Sequence, residues 1–579
     1  MNRPFRIVAG SVCALLGAAA CYDLSVGTTD DTLTREFVLN DPSLVERVIA
    51  GVGINLWGGM NNTRPWVALS ALGEEITSSS SNASLWDIAR EPRPTLDNAP
   101  GVVAINRDPW ANFYEANSTA TEMSRNIKER NLRLIDKATG FDNTARGLAY
   151  AKFIQGSAHG YLSMLFDKAA IVTEDVDLSG VPNLEFQPHT VVRDSAIKWL
   201  EEAIDMANSS AFTFPYTDAL WFYNNVVSNG EFAQLAHSMI ARTIVYNARN
   251  PTERAALDWG EVKFHIQNGL TFDFGLGADG SRPNPLLDFG YKVYTGAPPG
   301  TGTGTSNSNA ARVDLRLLGP GDTTTVLVGT VRKTQYQVWL EKVDKAALRD
   351  TVKPFVINSP DQRILRSGAT VPVGKPVVFQ FTSVAVPTTA QPTERGTYYQ
   401  SNYWSASRTK NGLNSTGNLD DIRDIAFTKT EMDLLLAEAE YRLGNRQRTA
   451  DLINITRVTN GGLDSVTING PPQATAAEQA RCVPKRYDGT CGDLWDALMY
   501  EKRIETYGVH GMIPYGDARG WGCLLEGTIT DLPIPGRQLD LLGKPVYTFG
   551  GQPGQPGSAP LPTGACPIIV NHIVRAGGG

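Results

Sequence analysis

The chain has 579 residues, of which 42% are hydrophobic and 20% charged. This composition is typical of a folded globular protein and excludes a disordered one. The formal net charge is -7, so the charge balance gives no reason to expect nucleic acid as a partner. The 55 glycines and 34 prolines predict long irregular connections between the regular elements.

The first twenty residues are predicted to be a signal peptide. Arg3 and Arg6 precede an apolar run over residues 7–16 that is too short to span a bilayer as a stable helix. Three alanines then stand directly before Cys21. This order is typical of a bacterial lipobox, in which the cysteine thiol receives lipid, although Ala18 replaces the usual Leu. The alternative is an ordinary secretory signal cleaved nearby. We expect Cys21 to anchor the protein to a membrane that it does not span, with residues 21–40 as a tether.

Four further cysteines follow in the C-terminal part: Cys482, Cys491, Cys523 and Cys566. An even number in an exported protein predicts two disulfides, for which three pairings are possible. Closure of the shorter loops favours Cys482 with Cys491 and Cys523 with Cys566. A zinc site would need CxxC-type spacing, which the sequence lacks.

Helical patterns dominate the N-terminal half. Asn40-Asp41-Pro42 predicts a helix start, and this helix is expected to end in the Gly-rich WGGMNN of residues 57–62. A second helix is predicted to begin near Pro109. Further helices are predicted, on apolar residues at helical spacing, at about 144–166, 191–206, 232–246 and 259–267.

The middle of the chain has a different residue composition from the helical N-terminal half. Residues 273–308 are rich in Gly, Pro, Ser and Thr, which predicts a long loop. The segments 326–340 and 371–381 cluster β-branched residues, which predicts short strands. We therefore interpret residues 271–424 as a loop and strand insertion on a helical scaffold formed by about 41–270 and 425–510. A loop-rich segment over about 511–579 completes a single domain that spans 41–579.

The stretch from Glu431 to Val458 predicts a two-helix hairpin. Met432, Leu435, Leu436, Ala439 and Leu443 share one face of the first helix, and Ala450, Ile453 and Val458 are apolar positions of the second. Between the helices, Gly444-Asn445 suits a left-handed C-cap. A tetratricopeptide-type unit of this kind cannot bury its own apolar face, so it must pack on neighbouring helices. The hairpin is thus predicted to be scaffold. A last helix is predicted at about 493–507.

No pattern in the sequence predicts catalysis or a cofactor. Gly275-x-Gly277-x-x-Gly280 is followed by Ser-Arg-Pro-Asn-Pro, which cannot start the helix that a dinucleotide site needs. Asp175-x-Asp177-x-Ser179-Gly180 resembles the start of a calcium loop, but its twelfth position is Phe186 and not Glu. A turn is the better interpretation, and an unlocated structural calcium stays open. The six histidines show no HExxH spacing, and no GxSxG or paired carboxylates are evident.

Aromatic residues give the clearest indication of a ligand site. Trp66, Trp86 and Trp404 fall in predicted loops, where exposed rings can stack on sugars or other planar ligands. Three more residues in predicted loops could donate hydrogen bonds: Asn82, Tyr294 and Arg408. The alternative is that these side chains only pin the loops to the scaffold. Trp110 and Trp199 are predicted to lie in the core.

Several motifs together resemble the SusD/RagB family of outer-membrane nutrient-binding lipoproteins. The N-terminal ones are Cys21 followed by Asp23-Leu24, Trp110-xxx-Tyr114-xx-Asn117, the Ala- and aromatic-rich helix over 146–166, and Asp314-Leu315-Arg316, where Leu315 replaces the family's Pro. The C-terminal motifs are more specific. They are Thr430 to Asn445, Glu501-Lys502-Arg503-Ile504-Glu505, Gly508, Asp517-Ala518-Arg519 and the Pro-Ile-Pro motif at 533–535. Two positions depart from the family pattern, since Thr449 stands where a repeat of this kind prefers Ala, and Gln538 stands where Glu is usual.

The resemblance implies a mainly α fold, a tetratricopeptide-like scaffold of helical hairpins with a loop-rich ligand face and a few short strands. It also implies a lipoprotein of the outer membrane, facing the exterior, that binds a glycan or peptide and delivers it to a SusC-like TonB-dependent transporter. By position in the chain, the loop around Asn82–Trp86 and the segment Tyr398–Arg408 are the better candidates for the ligand site. Two alternatives stay open, a secreted hydrolase that uses carboxylates and an envelope scaffold protein without a ligand.

Overall fold

The structure is a computed structural model that describes most of the chain from Arg35 to Val570. The described residues are 35–61, 63–77, 88, 91–99, 104–176, 184–217, 220–222, 225–277, 312–345, 347–348, 352–353, 355–366, 368–370, 377–381, 403–405, 423–552, 554–562 and 566–570. The predicted signal peptide and Cys21 lie outside these residues. None of the described helices is both long and apolar enough to cross a bilayer.

Helices make up most of the regular structure, as the sequence predicts. In the N-terminal half they are α1 (Arg35–Asn40), α2 (Pro42–Gly51), α3 (Gly53–Asn61), α4 (Thr63–Leu72), α5 (Ala104–Glu129), α6 (Thr144–Leu165), α7 (His189–Ser209), α8 (Asn229–Asn247), α9 (Pro251–Ala255) and α10 (Trp259–Gln267). The later ones are α11 (Leu315–Leu318), α12 (Gln335–Val343), α13 (Lys429–Arg442), α14 (Arg446–Thr459), α15 (Ala476–Arg481), α16 (Leu494–Glu505), α17 (Met512–Trp521) and α18 (Gly536–Leu541).

The strands are short and pair in twos and threes. They are β1 (Ile76–Thr77), β2 (Lys168–Ala170), β3 (Phe186–Pro188), β4 (Thr213–Phe214), β5 (Val227–Ser228), β6 (Phe274–Gly277), β7 (Arg312–Val313), β8 (Thr325–Val328), β9 (Val331–Thr334), β10 (Ile364–Leu365), β11 (Phe379–Phe381), β12 (Tyr403–Ser405) and β13 (Arg423–Phe427). The pairs are β1 with β7, β2 with β3, β4 with β5, β6 with β13 and β8 with β9, and β11 lies between β10 and β12. Such small sheets join segments of the helical array and do not form a core of their own.

Helix α6 lies at the centre of the N-terminal array. It packs against α5, α7 and α8, and almost every residue from Gly147 to Leu165 is buried. Small and apolar residues suit a helix that is buried all round, and α6 is rich in Ala, Gly and Ser. Its buried Lys152 is paired with Glu174 at 3.3 Å and Glu202 at 3.0 Å. A Cβ atom at Gly156 would lie 2.6 Å from Cγ of Leu200 in α7, so glycine permits the close approach of these two helices.

Helices α13 and α14 form the predicted hairpin, and Gly444 between them has a φ of +86°. This left-handed conformation favours glycine. The hairpin packs against α10 and α16, which supply the neighbours that it needs. Two residues assigned to its apolar face are nonetheless exposed, Leu443 by 45% and Val458 by 41%, because both lie at helix ends beyond the face that α10 and α16 cover.

Other helix boundaries differ from the sequence prediction. One helix was expected from residue 42 to the WGGMNN segment, but the structure has two, α2 and α3, and α3 ends at Asn61 within that segment. The glycine at position 59 serves packing, since a Cβ there would lie 2.5 Å from the Phe113 ring of α5. Helix α5 begins at Ala104 and contains Pro109, so the start near Pro109 was too late. Residues 326–340 were predicted to form strand structure. A capping box of Thr334 and Gln337 begins α12 within this range, so its strand residues belong to β8 and β9 and the rest is helix.

Buried ion pairs hold the helices together, and they account for the most specific sequence motifs. Glu438 of α13 accepts two hydrogen bonds from Arg254, at 3.0 and 2.7 Å, with both side chains fully buried. Asp517 of α17 accepts from Arg254 and from Lys502 of α16, each at 2.8 Å. Three charged motif residues thus meet at one place. This arrangement joins α13, α16 and α17 into one body and gives the motif carboxylates a structural role.

A second cluster surrounds Arg363. Its guanidinium donates to Glu501 at 2.7 and 3.0 Å and to Glu505 at 2.6 Å, both in α16, and to Asp361 beside it. All four side chains are buried. The segment around Arg363 is therefore tied to α16 through the glutamates of the Glu-Lys-Arg-Ile-Glu motif.

The two disulfides follow the pairing that loop closure favours. Cys482 is bonded to Cys491, with 5.8 Å between their Cα atoms, and Cys523 is bonded to Cys566, with 5.3 Å between theirs. The second bridge connects the end of α17 with the C-terminal residues 566–570. It fixes part of the loop-rich segment to the scaffold.

Candidate functional site

The ligand contacts predicted from loops are only partly within the described residues. Asn82, Trp86, Tyr294 and Arg408 lie outside them. Trp66 and Trp404 were assigned to loops, and both assignments are wrong for the backbone. Trp66 lies in α4, one residue after Pro65 near the helix start, where proline is well tolerated. Trp404 lies in β12 and pairs with Gln380 of β11.

A pocket of about 500 Å³ opens at a different place, between α5, the hairpin of β2 and β3, and α18. Its volume falls in the range of small-molecule sites. Aromatic and aliphatic side chains make up most of its wall. The lining residues are Arg107, Trp110, Ala111, Tyr114, Ser118, Ala170, Val172, Leu184, Phe186, Pro535, Arg537, Gln538, Leu541 and Leu542. It is a candidate site within the described residues.

One face of α5 forms the first wall. Arg107, Ala111, Tyr114 and Ser118 are separated by three or four residues and so project from the same side of the helix. Trp110 forms the base of the pocket. Its ring contacts Tyr114, Phe166 and Phe186, with centroid distances of 4.8, 4.9 and 6.1 Å. Only 6% of Trp110 is exposed, which confirms the prediction that it is core and shows that its ring faces are largely covered.

Hydrogen bonds fix the β2–β3 hairpin to α5. The Tyr114 hydroxyl donates to the Ala170 carbonyl at 2.9 Å and accepts from the Ala170 amide at 2.7 Å. Burial raises the pKa of Tyr114 far above its usual value, so this hydroxyl stays protonated. Asn117 donates to the Val172 carbonyl at 3.1 Å. The Trp-xxx-Tyr-xx-Asn motif thus builds one corner of the pocket.

A buried histidine supports the same corner from beneath. The Val172 amide donates to Nε2 of His159 at 3.3 Å, and Nδ1 of His159 contacts the Gln155 carbonyl at 2.9 Å. The first contact requires an unprotonated Nε2, so the ring is the neutral tautomer with its proton on Nδ1. Burial lowers the pKa of His159 to about 4, which agrees with a neutral ring at pH 7.

The opposite wall is α18 and the turn before it. Asn98 donates to the Ile534 carbonyl at 2.8 Å and accepts from the Gly536 amide at 3.0 Å. Asn106, in the first turn of α5, donates to the Pro533 carbonyl at 3.1 Å. The Pro-Ile-Pro motif is therefore the segment that sets α18 against α5. Leu541 at the end of α18 is 72% exposed, so it forms part of the pocket rim.

The charges at the pocket are cationic. The Arg107 guanidinium is bound by the adjacent Asp108, at 2.8 and 2.9 Å. Arg537 is exposed, and no ion pair or side-chain hydrogen bond ties it to the described part of the chain. Nζ of Lys544 lies 5.7 Å from the centroid of the Phe186 ring. No carboxylate belongs to the described lining.

The sequence pattern indicates only part of this pocket. Trp110 and Tyr114 were recognised as a family motif, but as scaffold and not as ligand contacts. Their spacing with Arg107 and Ser118 was a usable signal, since one helix face combines aromatic, small and cationic residues. Phe186 and Leu541 come from distant segments, and nothing in their local sequence marks them. Their contribution follows from the tertiary packing alone.

Among comparisons with family models, curated proteins and solved structures, only the solved structures match this chain. No protein-family model matches the chain, and no curated protein is similar to it. Solved structures do match over most of its length. In structure, this chain is similar to SusD superfamily proteins. One from Bacteroides vulgatus has 15% identity, covers 87% of this chain and 97% of its own, and gives a TM-score of 0.47.

Two further SusD superfamily proteins show the same degree of similarity. The one from Bacteroides fragilis has 14% identity, covers 87% of this chain and 98% of its own, and gives a TM-score of 0.48. The one from Parabacteroides distasonis has 13% identity, covers 84% and 88%, and also gives 0.48. The motifs of the sequence resemble the same family.

Proposed function

We propose that this protein is a cell-surface lipoprotein that binds an oligomeric nutrient, a glycan or a peptide, and passes it to a TonB-dependent transporter of the outer membrane. The observation that carries the proposal is the pocket between α5 and α18. Its lining combines several apolar and aromatic side chains with a few polar ones, which is the usual composition of a ligand site. Catalysis is not part of the proposal.

The position of the pocket suits capture of a ligand from solution. Its rim includes the exposed Leu541 and the exposed Arg537, while its base is the buried Trp110. The walls are held by the Tyr114–Ala170 and Asn98–Gly536 hydrogen bonds. A rigid site of this kind binds without the entropy loss of ordering its own walls.

Membrane attachment and delivery are supported by the sequence. The lipobox-like Ala-Ala-Ala-Cys21 favours a lipid anchor, and the order of the motifs favours a partner of the SusC type. In this proposal the helical scaffold, with its buried ion pairs, is the rigid body that carries the pocket. An outward-facing position on the outer membrane would place the pocket in contact with external nutrients.

Titration calorimetry against a panel of oligosaccharides and oligopeptides tests the proposal. Leu541→Asp places a charge on the pocket rim without removing a buried side chain. Leu327→Asp is the matched control, because Leu327 is 68% exposed and lies in β8, away from the pocket lining. We expect wild type and Leu327→Asp to bind the same panel members and Leu541→Asp to bind them at least about tenfold more weakly. Equal affinity in all three proteins would exclude the pocket as the ligand site.

In addition to the pocket, the residues that the sequence predicts as ligand contacts remain proposed contacts. Asn82, Trp66, Trp86, Tyr294, Trp404 and Arg408 are the members of this set. Trp86→Ala and Trp404→Ala are expected to weaken binding and to leave the circular dichroism spectrum unchanged. If neither variant changes the affinity, these residues do not contact the ligand.

A further inference from the structure

The proposed function allows a glycan or a peptide as ligand, and the residues that line the α5–α18 pocket favour one of them. This inference rests on the proposed function. A buried sugar ring must satisfy several hydroxyl groups with hydrogen bonds, because an unpaired buried hydroxyl costs free energy. The pocket offers few groups for that purpose. Apart from its two arginines, the lining has three polar side-chain groups without a hydrogen bond to the described residues: those of Ser118 and Gln538 and the indole N–H of Trp110.

The aromatic residues do not make up for this shortage. The Tyr114 hydroxyl already donates to the Ala170 carbonyl and accepts from the Ala170 amide, so its proton is not available to a sugar. Trp110 is only 6% exposed, and its ring is in contact with Tyr114, Phe166 and Phe186. It cannot present an open face for stacking on a pyranose. An apolar group fits these walls without unpaired polar atoms.

The positive charge on the pocket rim favours a ligand that carries an anionic group. Asp108 already neutralises Arg107, whereas the exposed Arg537 has no acidic partner in the described part of the chain. Asp540 lies on the same short helix as Arg537 and is exposed, but it does not line the pocket. Lys544 adds a second cation near Phe186. A carboxylate bound here would gain a charge-assisted, bidentate contact with a guanidinium.

We infer that the pocket binds an apolar group that carries a carboxylate, with the apolar part against Trp110, Phe186 and Leu541 and the carboxylate at Arg537. A peptide that ends in a hydrophobic residue has this chemistry. A small aryl- or alkylcarboxylic acid has it too. A neutral glycan does not.

Four probes separate these cases by titration calorimetry with the purified full-length mature protein. They are acetyl-Ala-Ala-Phe with a free carboxylate, the same peptide as its C-terminal amide, 3-phenylpropanoate and maltoheptaose. The free acid and the amide differ only in the terminal group, which is an anionic acceptor in the acid and a neutral donor and acceptor in the amide. We expect the acid to bind at least about tenfold more tightly than the amide. Binding of 3-phenylpropanoate as well would identify the carboxylic acid itself as sufficient, and binding of the peptide acid alone would identify a peptide as the source.

Two variants assign the charge effect to one residue. Arg537→Gln is expected to lower the affinity for the acid to that for the amide and to leave the amide unchanged. Arg332→Gln is the control, because Arg332 is an exposed arginine of β9 outside the pocket lining. Equal affinities for acid and amide in wild type, or an unchanged acid affinity in Arg537→Gln, would overturn the inference.

The same measurements distinguish a failure of this inference from a failure of the proposed function. If maltoheptaose binds and Leu541→Asp abolishes that binding, the inference is wrong and the receptor function stands. If ligands bind but Leu541→Asp weakens none of them, the pocket is not the ligand site and the inference is wrong, while the receptor function stands. If no probe and no member of the nutrient panel binds at all, both are wrong.

Discussion

The guanidinium of Arg242 binds the carboxylate of Glu431 with two hydrogen bonds, 3.0 and 2.6 Å long, although the two residues are 189 positions apart. Neither side chain is exposed to solvent. The pair joins α8 of the N-terminal array to the first turn of α13, where the hairpin motif begins. Arg242 also donates to the Ala426 carbonyl at 2.9 Å. The hairpin is therefore docked by a buried charge as well as by apolar contacts.

Removing one partner of this pair should destabilise the fold strongly. Glu431→Gln leaves the Arg242 charge buried without a counter-charge, so we expect the free energy of unfolding to fall by about 3–5 kcal/mol. Urea unfolding followed by circular dichroism measures this change. Asp433→Asn is the control, since Asp433 forms a partly exposed pair with Lys429 on the same helix and should change stability by less than about 1 kcal/mol. Similar effects of the two variants would contradict the role given to the buried pair.

Replacing both partners gives a sharper test. In Arg242→Met/Glu431→Leu no charge is left unpaired, so the double variant should be more stable than Glu431→Gln. If the double variant is the less stable one, packing at this site matters more than charge.

The contrast between this hairpin and the pocket shows what the sequence could predict. The hairpin follows from local signals, the apolar spacing of α13 and the turn at Gly444, and both are present. The Arg242–Glu431 pair does not, because no local pattern connects residues so far apart. The same limit applies to the pocket, whose walls come from α5, β3 and α18. Gly59 shows a third case: the sequence predicts a helix that ends in this segment, and α3 ends at Asn61, but the close packing of Gly59 on Phe113 follows only from tertiary structure.

Acid should destabilise the protein through His159. Burial lowers its pKa in the folded state to about 4 from the ordinary value of 6.5, so the unfolded chain takes up a proton that the folded state excludes. The stabilising contribution is complete above pH 6.5 and is lost as the pH falls towards 4. For this histidine it amounts to roughly 3 kcal/mol. Burial also lowers the pKa of His189 and His265 to about 4, so their contributions have the same sign.

The free energy of unfolding at several pH values checks this. Between pH 6.5 and 4, the slope for His159→Gln should be smaller than for wild type by about 1.4 kcal/mol per pH unit, which corresponds to one proton. Identical slopes would mean that His159 is not the neutral, buried group described above.

The two disulfides should contribute unequally. The Cys523–Cys566 bridge closes a separation of 43 residues and the Cys482–Cys491 bridge one of 9. In the loop-entropy account the longer loop contributes about 4 kcal/mol and the shorter one about 3 kcal/mol. Thermal unfolding of the two double serine variants measures the difference. A larger loss from Cys482→Ser/Cys491→Ser would show that local packing, and not loop closure, determines the contribution.

Lipidation at Cys21 predicts a change of location. Cys21→Ser should release the protein from the membrane fraction into the soluble fraction, because no acyl chain can then be attached. Immunoblotting of fractionated cells measures the distribution, with Cys13→Ser, inside the predicted signal peptide, as the control. A Cys21→Ser protein that still sediments with outer membranes in high salt would refute the anchor.

In the proposed function, the protein acts as a receptor subunit of an outer-membrane transporter. Purification from the native envelope in mild detergent, with mass spectrometry of the proteins that co-elute, tests it most directly. We expect a large β-barrel transporter to co-elute in a near-equal molar amount. Elution of the protein alone, at the size of a monomer, would contradict a stable receptor–transporter complex.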